Sequence, residues 1–212
     1  MKEKTASILQ ELCSRYPALL SVKAEVQAAF ETLKMCFEKG GRLYVCGNGG
    51  SASDSEHIVG ELMKSFKKAR PIESALKDTL NACGELGETL SRDLEGGLPC
   101  VSLCGHPSLT SAFLNDKNPL LTFAQPLSVL GRAGDVLLVL STSGNSQNCV
   151  YATVVAKALK MQTVFLGGGT GGKLKEVADV SVIVPEKETF KVQELHLPVY
   201  HALCAMLEEE FF

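Results

Sequence analysis

The sequence predicts an α/β fold in which a central parallel sheet of five strands is covered by helices on both faces. Five short apolar runs follow a helical N-terminal region, and helical segments separate them. Such alternation is typical of parallel sheets, because two parallel strands can be joined only by a long crossover connection. The run at 136–140 is apolar throughout, as expected for a central strand buried on both faces. The five predicted strands are residues 43–46, 99–103, 136–140, 163–166 and 180–184.

Both ends of the chain are predicted to be helical. Apolar residues recur at helical spacing over residues 4–38, which predicts one or two helices, and residues 188–212 form a predicted C-terminal helix. Pro198 lies inside this last helix, where it lacks a backbone N–H and clashes with the preceding turn, so we expect a kink or a fresh start there. Residues 72–97 are predicted to form a helical insertion before the second strand, either a flap over a site or an extra packed helix. We expect residues 1–212 to form a single domain.

The composition argues against several classes of partner. The 212 residues carry a formal net charge of -3, so no basic excess is available to neutralise nucleic acid or an anionic membrane. The short basic cluster over residues 64–70 is interpreted as a solvated helix end. No secretory leader opens the chain and no run is long enough to span a bilayer, which predicts a cytoplasmic protein. The eight cysteines include no Cys-x-x-Cys pair and are expected to be buried, reduced thiols.

A glycine-rich turn follows the first predicted strand and leads into a helix. The first backbone N–H groups of a helix and its positive dipole end favour a bound anion. His57 and Glu61 lie one turn apart on this helix and share one face, although by themselves they would be interpreted as an ordinary exposed pair. An imidazole and a carboxylate beside an anion site indicate chemistry on a phosphorylated small molecule. The residues of the turn are Asn48, Gly49, Gly50 and Ser51.

A second candidate phosphate site follows the third predicted strand. Residues 141–146 place four hydroxyl side chains within six residues, which is more than a helix N-cap requires. Hydroxyls and free amides at a helix start can bind a phosphate without a lysine. Because the carboxyl ends of parallel strands meet at one edge of the sheet, both loops can converge on one pocket. The hydroxyl residues of this loop are Ser141, Thr142, Ser143 and Ser146.

The C-terminal helix contributes further polar candidates. Gln193 and His201 are two turns apart and can share one side of this helix. Together with the imidazole–carboxylate pair on the earlier helix, they could bind zinc, although glutamine is an uncommon ligand. The same groups could instead act as general acid and base. Simple packing of His196 and His201 at a helix surface or an interface is an equal alternative.

In combination, these motifs resemble the phosphoheptose isomerases of the sugar-isomerase (SIS) superfamily, over nearly the whole chain except residues 72–97. The resemblance implies a homotetramer with a flavodoxin-like core, which is a three-layer sandwich, and with sites between subunits. It implies a sugar phosphate substrate: sedoheptulose 7-phosphate is converted to D-glycero-D-manno-heptose 7-phosphate through an enediol. The matching residues are Cys46 to Ser51, His57, Glu61, Asn115, Asp116, Gly134 to Val136, Ser141 to Ser146, Gln193 to His196, and His201.

The resemblance also implies roles for single residues. Glu61 and His201 match the family's acid/base pair, with Glu61 as the base at carbon and His201 moving protons at oxygen. The residues that match its zinc ligands are His57, Glu61, Gln193 and His201. The residues that match its phosphate and substrate sites are Ser51, Ser141, Ser143 and Ser146, with Thr142 nearby, and Asn115 and Asp116.

Two features depart from the family pattern, and two alternative functions follow. The family usually has Asp-Arg before its Ile-Gln-Glu run, where this chain has Phe190 and Lys191, and its shorter members lack residues 72–97. Loss of that aspartate removes a contact to substrate hydroxyls, so one alternative is an isomerase or sensor for another sugar phosphate. The other is a non-catalytic SIS adaptor that binds the bacterial replication initiator. That adaptor lacks the glutamate that matches Glu61, whereas this chain keeps it together with His201.

Overall fold

The computed structural model describes all 212 residues and contains one five-stranded sheet. The strands are β1 (Leu43–Gly47), β2 (Cys100–Ser102), β3 (Val136–Ser141), β4 (Gln162–Gly168) and β5 (Val180–Val184). Every pairing between neighbouring strands is parallel. The order across the sheet, β2-β1-β3-β4-β5, is that of flavodoxin-like folds. The predicted fold class is confirmed, and each observed strand overlaps the segment predicted for it.

Helices cover the sheet on both faces. Two 3-10 helices, Pro17–Val22 and Pro119–Leu121, accompany the α-helices. No helix combines the length and the apolarity that a membrane span requires. The α-helices are α1 (Glu3–Arg15), α2 (Lys23–Glu38), α3 (Gly50–Met63), α4 (Ser74–Asn81), α5 (Glu85–Asp93), α6 (Pro107–Asp116), α7 (Ala124–Leu130), α8 (Gln147–Ala158), α9 (Gly172–Val177) and α10 (Thr189–Phe211).

The strands divide their side chains between two hydrophobic clusters, one on each face of the sheet. Successive residues of a strand point to opposite faces. Val45 and Leu138 therefore pack with α1, α2, α3 and α10, whereas Tyr44 and Leu137 pack with α7, α8 and α9. β3 is buried along its whole length because both of its faces are covered. The helices α3 and α10, which carry the candidate functional residues, thus pack on the same face.

The C-terminal helix α10 runs without a break through Pro198, so the predicted fresh start there is wrong. A proline inside a helix costs about 3 kcal/mol, because it removes one hydrogen bond and crowds the preceding turn. Pro198 is buried, and from this residue to Glu208 the helix is buried on nearly every side. The burial of these apolar side chains against the sheet and α1 outweighs the local preference of the proline.

The interpretation of residues 64–70 as a solvated helix end is wrong for Arg70. The cluster lies in a loop after α3, and the Arg70 side chain is fully buried. Its Nε donates to Oε1 of Glu208 at 2.8 Å, and its two terminal nitrogens donate to the carbonyls of Leu62 and Glu61 at 2.8 and 2.9 Å. The partner carboxylate comes from α10, 138 positions along the chain, so no local pattern could indicate it.

Residues 72–97 form a helical hairpin, which agrees with the prediction that this segment is helical. The helices α4 and α5 pack against each other and make few other contacts. Helix α4 has no buried residue, and α5 buries only Gly87 and Ser91. The hairpin leaves apolar side chains exposed on its surface, namely Leu76, Leu86, Leu90 and Leu94.

Candidate active site

The imidazoles of His57 and His201 and the carboxylate of Glu61 form one cluster. His57 and Glu61 lie a turn apart on α3, and α10 packs against α3 and brings His201 to them. Nε2 of His57 lies 3.1 Å from Oε1 of Glu61 and 3.5 Å from Nε2 of His201. The fold thus brings together the predicted acid/base pair and three of the four predicted metal ligands, whose chemical roles stay predictions.

The donor set of this cluster fits a metal ion. One ligand atom from each of the three residues lies within 4.8 Å of the other two. The second carboxylate oxygen of Glu61, Oε2, is buried without a hydrogen-bond partner. A buried polar atom without a partner is costly, and a cation would satisfy it. Two imidazoles and a carboxylate suit Zn²⁺, whose tetrahedral sites place neighbouring ligand atoms about 3.3 Å apart.

Burial and neighbouring charge set the protonation of the groups around this cluster. Burial lowers the pKa of His201 below its ordinary value of 6.5, and the nearby His57 lowers it further, while Glu61 opposes both effects. Burial raises the pKa of Asp54, against the hydrogen bond from Tyr200 and the nearby imidazole of His57. His201 is therefore neutral at neutral pH and keeps a ring lone pair for a proton or a metal.

Two residues that the sequence did not indicate, Tyr200 and Asp54, lie behind His57. The Tyr200 hydroxyl donates to Oδ1 of Asp54 at 3.2 Å, and Nδ1 of His57 lies 3.0 Å from the same hydroxyl oxygen. Asp54 and His57 are three residues apart on α3, and this helical spacing is a signal that could have identified Asp54. No local signal identifies Tyr200, because its contact with His57 spans 143 positions.

Gln193, the predicted fourth metal ligand, packs against the first turn of α3. A Cβ added to Gly50 would lie 2.6 Å from Nε2 of Gln193, so the end of the Gln193 side chain lies close to the Gly50 backbone. The side-chain amide of Gln193 therefore lies at the glycine-rich turn, about two turns before His57 along α3. Its role as a metal ligand stays a prediction.

The hydroxyl-rich loop follows β3 and ends where α8 begins. The Ser141 hydroxyl donates to the Ser146 hydroxyl at 3.2 Å. The backbone amides of Gln147 and Asn148, in the first turn of α8, donate to no group of the chain. Hydroxyls and amides are thus available to an anion, as the phosphate-binding prediction requires. Of the predicted phosphate residues, Ser51 and Ser141 are buried, Thr142 and Ser146 are partly buried, and Ser143 is exposed.

Specific contacts hold the loops at the carboxyl edge of the sheet together. Asn48 and Asn148 exchange two hydrogen bonds between their side-chain amides, at 3.0 and 2.8 Å, which joins the glycine-rich turn to the start of α8. Gly144 has a φ of +68°, and a Cβ at this position would lie 1.9 Å from the carbonyl oxygen of Gly171. The loops after β1, β3 and β4 therefore form one connected surface, as the convergence of the two motifs predicts.

Asn115 and Asp116 lie apart from the other candidates. They end α6, are exposed, and hydrogen-bond to each other at 2.8 Å. Helix α6 packs mainly on the neighbouring 3-10 helix and makes no extensive contact with α3 or α10. A single chain does not bring these two residues to the cluster of imidazoles, and their contact with substrate stays a prediction.

The comparisons with known proteins agree on one family. The family model of the SIS domain matches residues 11–95. The phosphoheptose isomerase of Akkermansia muciniphila is 32% identical over 212 residues, which cover 100% of this chain and 99% of the relative. The chain belongs to the phosphoheptose isomerase family. The resemblance drawn from the motifs is confirmed, and the match to this relative includes residues 72–97.

Solved structures of phosphoheptose isomerases share the fold. The enzyme from Neisseria gonorrhoeae is 30% identical, with a TM-score of 0.72 over 97% of this chain and 98% of its own. The enzyme from Francisella tularensis is 26% identical, with a TM-score of 0.76 over 99% of this chain and 100% of its own. The likeness extends over the N-terminal helices and α10 as well as the sheet.

The two histidines of α10 that the sequence left open differ in their environment. His196 is fully buried, and neither of its ring nitrogens has a well-formed hydrogen bond. Burial lowers its pKa to about 4, although the Gly167 carbonyl opposes this effect. Simple packing therefore accounts for His196 but not for His201, which joins the cluster on α3.

Proposed function

We propose that this protein is a ketose–aldose isomerase that interconverts sedoheptulose 7-phosphate and D-glycero-D-manno-heptose 7-phosphate. Membership of the family supports this reaction class, because relatives at 32–36% identity over most of the chain are named phosphoheptose isomerases. The observation within the chain that carries the proposal is the cluster of His57, Glu61 and His201 on the helix that begins at the glycine-rich turn.

The phosphate end of the substrate would bind at the loops after β1 and β3. The hydroxyls of Ser51, Ser141, Ser143 and Ser146 and the free amides of α8 can donate to its oxygens. His57 lies six residues beyond Ser51, which is about 9 Å along a helix axis. Phosphate and ketone lie at opposite ends of the sugar, so a separation of this order suits a substrate anchored at one end and reacting at the other.

The reactive end would meet the acid/base pair. The Glu61 carboxylate removes a proton from C1 of the ketose and returns it to C2. His201 moves a proton from the C1 hydroxyl oxygen to the former carbonyl oxygen. One hydrogen thereby moves from C1 to C2 and another from the C1 oxygen to the C2 oxygen, through an enediol. No external oxidant or reductant is needed. Such positioned acid/base groups contribute typically about 10²- to 10⁴-fold in rate.

We include zinc in the proposal, held by His57, Glu61 and His201, with Gln193 as a fourth candidate ligand. When bound, it would stabilise negative charge on the substrate oxygens. The buried, unpaired Oε2 of Glu61 and the spacing of the three donor groups support this assignment. Elemental analysis and the activity assay on one preparation test it. Zinc at about one atom per chain with turnover is the expected result, and full turnover of metal-free protein would overturn it.

The adaptor alternative is not favoured, because Glu61 and His201 lie in one cluster in this chain. An assay with purified protein tests the isomerase directly. We expect conversion of sedoheptulose 7-phosphate to the aldose, detected by the anomeric proton signals of the product. Other ketose phosphates, tested in parallel, address the replacement of the family aspartate by Phe190, whose side chain is exposed. Turnover of another ketose phosphate alone would replace the substrate, and no turnover of any would overturn the proposal.

The proposal extends to a homotetramer with sites between subunits, a single domain and a cytoplasmic location. The exposed leucines of the α4–α5 hairpin and the distance of Asn115 and Asp116 from the cluster support a site completed by a neighbouring subunit. Elements from both ends of the chain share one hydrophobic cluster, which supports a single domain. All eight cysteines are free thiols, which suits a reducing compartment, but the prediction that they are buried is wrong for the exposed Cys83, and Cys104 is only partly buried. Light scattering tests the tetramer, for which we expect four times the 22.7 kDa chain mass.

A further inference from the structure

We infer that Tyr200 and Asp54 are positioning residues that fix the tautomer of His57, so that its Nε2 faces Glu61 and His201 with a free lone pair. The inference rests on the proposed function only in its use of that nitrogen as a metal ligand. The contacts that carry it are the 3.2 Å hydrogen bond from Tyr200 to Asp54 and the 3.0 Å contact between Nδ1 of His57 and the Tyr200 hydroxyl oxygen.

The argument begins with the single hydrogen atom on the Tyr200 hydroxyl. This hydrogen can be donated either to the Asp54 carboxylate or to Nδ1 of His57, but not to both. Asp54 is partly buried on α3 and has no other hydrogen-bond or ion-pair partner in the chain. A carboxylate accepts a stronger hydrogen bond than a neutral imidazole nitrogen does. The Tyr200 hydrogen therefore goes to Asp54.

The tautomer of His57 follows from this choice. Because the hydroxyl oxygen of Tyr200 has given its hydrogen to Asp54, it faces Nδ1 of His57 with a lone pair. It can accept a hydrogen bond only if Nδ1 carries a hydrogen atom. In the neutral imidazole the other nitrogen, Nε2, is then unprotonated. Nε2 is the atom that lies 3.1 Å from Glu61 and 3.5 Å from Nε2 of His201. In the metal-free protein Nε2–H of His201 can donate to its lone pair, and a bound cation would take the place of that hydrogen.

The surroundings of Tyr200 hold this chain of hydrogen bonds in place. The Tyr200 side chain is fully buried, and its ring packs edge-on against those of both His57 and His201, with centroids 5.6 and 4.9 Å apart. The hydroxyl therefore has little freedom to turn elsewhere. Hydrogen bonds from the outer N–H of a ligating histidine to a carboxylate or another acceptor are a general device, and their loss costs about 10- to 100-fold in metal affinity.

The test uses Tyr200→Phe, which removes only the hydroxyl, and Tyr44→Phe as its matched control. Tyr44 is equally buried, and its hydroxyl donates to the carbonyl of Leu130 at 3.0 Å, on the opposite face of the sheet. The first measurement is nitrogen NMR of metal-free protein labelled at its four histidines, with the signals assigned by single substitutions. We expect neutral His57 in the native protein and in Tyr44→Phe to carry its hydrogen on Nδ1, and in Tyr200→Phe on Nε2.

The second measurement is zinc affinity, determined by competition with a chromophoric chelator. We expect Tyr200→Phe to bind zinc about 10- to 100-fold more weakly, and Tyr44→Phe to bind it as the native protein does. Asp54→Asn keeps an acceptor oxygen, so its loss of affinity is expected to be smaller than that of Asp54→Ala. This pair replaces Tyr200→Phe if that variant does not fold.

The outcomes separate this inference from the proposed function. An Nε2-protonated His57 in the native protein, or a Tyr200→Phe variant with the native tautomer, would overturn the inference even if the enzyme is active. A native protein with the Nδ1 tautomer that binds no zinc would support the positioning of His57 and contradict the zinc assignment instead. Absence of isomerase activity with the expected tautomers would count against the proposed function and leave the positioning of His57 in place.

Discussion

The Nε2 atoms of His57 and His201 lie 3.5 Å apart, although the two residues are 144 positions apart in the sequence. This contact joins the second turn of α3 to the middle of α10 and places Glu61 beside both rings. Two imidazole nitrogens that face each other at this distance need a hydrogen atom or a cation between them. The contact therefore defines the reactive end of the candidate site, and the predictions below test it together with the elements that support it.

Glu61→Gln and His201→Ala are each expected to lower kcat by about 10²-fold or more, because each removes one member of the acid/base pair. The measurement is the initial rate with sedoheptulose 7-phosphate. The control is Glu176→Gln, an exposed carboxylate on α9 at the other face of the sheet. Unchanged circular dichroism would show that the fold is intact. Rates near that of the native protein would remove both residues from the mechanism.

Ser141→Ala is expected to raise KM for the sugar phosphate about tenfold or more with a smaller effect on kcat. A hydrogen bond to a charged group contributes about 1.5–3 kcal/mol, and this hydroxyl is buried in the predicted phosphate loop. Ser128→Ala on α7 is the control, because its exposed hydroxyl bonds only to the Gln125 carbonyl in its own helix. If KM stays the same in both variants, the phosphate does not bind at this loop.

Arg70→Met is expected to destabilise the protein by about 3–5 kcal/mol, because it leaves the buried Glu208 without its ionic partner and removes the side-chain donors to the carbonyls of Glu61 and Leu62 at the end of α3. Denaturant unfolding measures the change. The control is Arg92→Met, whose ion pair with Asp93 is exposed on both sides and should contribute at most about 1 kcal/mol. Equal losses in the two variants would contradict a structural role for the buried pair.

Stability is expected to fall in acid through Glu210, which ties α10 to the N-terminal helices. Burial alone would raise the pKa of Glu210, but hydrogen bonds from Lys2, Thr5 and Lys34 outweigh it and lower the pKa to about 2. The unfolded chain has the ordinary value of 4.5. Because the folded pKa is the lower one, the stabilisation is fully present above pH 4.5 and is lost as the pH falls toward 2.

Glu210→Gln tests this dependence by unfolding measurements between pH 7 and pH about 2.5. We expect a lower free energy of unfolding at pH 7 than in the native protein. We also expect this free energy to depend less on pH in the acid range. Glu38→Gln is the matched control, since Glu38 also faces Lys34, at 3.7 Å, but its side chain is 53% exposed. If the free energy of unfolding falls with acid equally in the native protein and in Glu210→Gln, this carboxylate is not a source of the acid sensitivity.

The regular parts of the fold could be predicted because they depend on local patterns. Five apolar runs and the turns after them identified the strands, since a strand buried on both faces must be apolar along its length. The interpretation of the sequence was wrong where residues far apart in the chain determine whether a side chain is buried or a helix continues. Arg70 is buried because Glu208 meets it, and α10 continues through Pro198 because tertiary burial outweighs the local cost.

The sequence by itself determined the residue types of the site and their order along the chain. It placed the phosphate-binding candidates at strand ends, because the direction of each strand and the position of each motif can both be read from the amino-acid sequence. Only the tertiary structure decided which side chains meet: His201 with His57, Asn148 with Asn48, and Tyr200 with Asp54. These contacts span 100 to 146 positions, and at such separations proximity depends on how helices pack across the sheet rather than on local spacing.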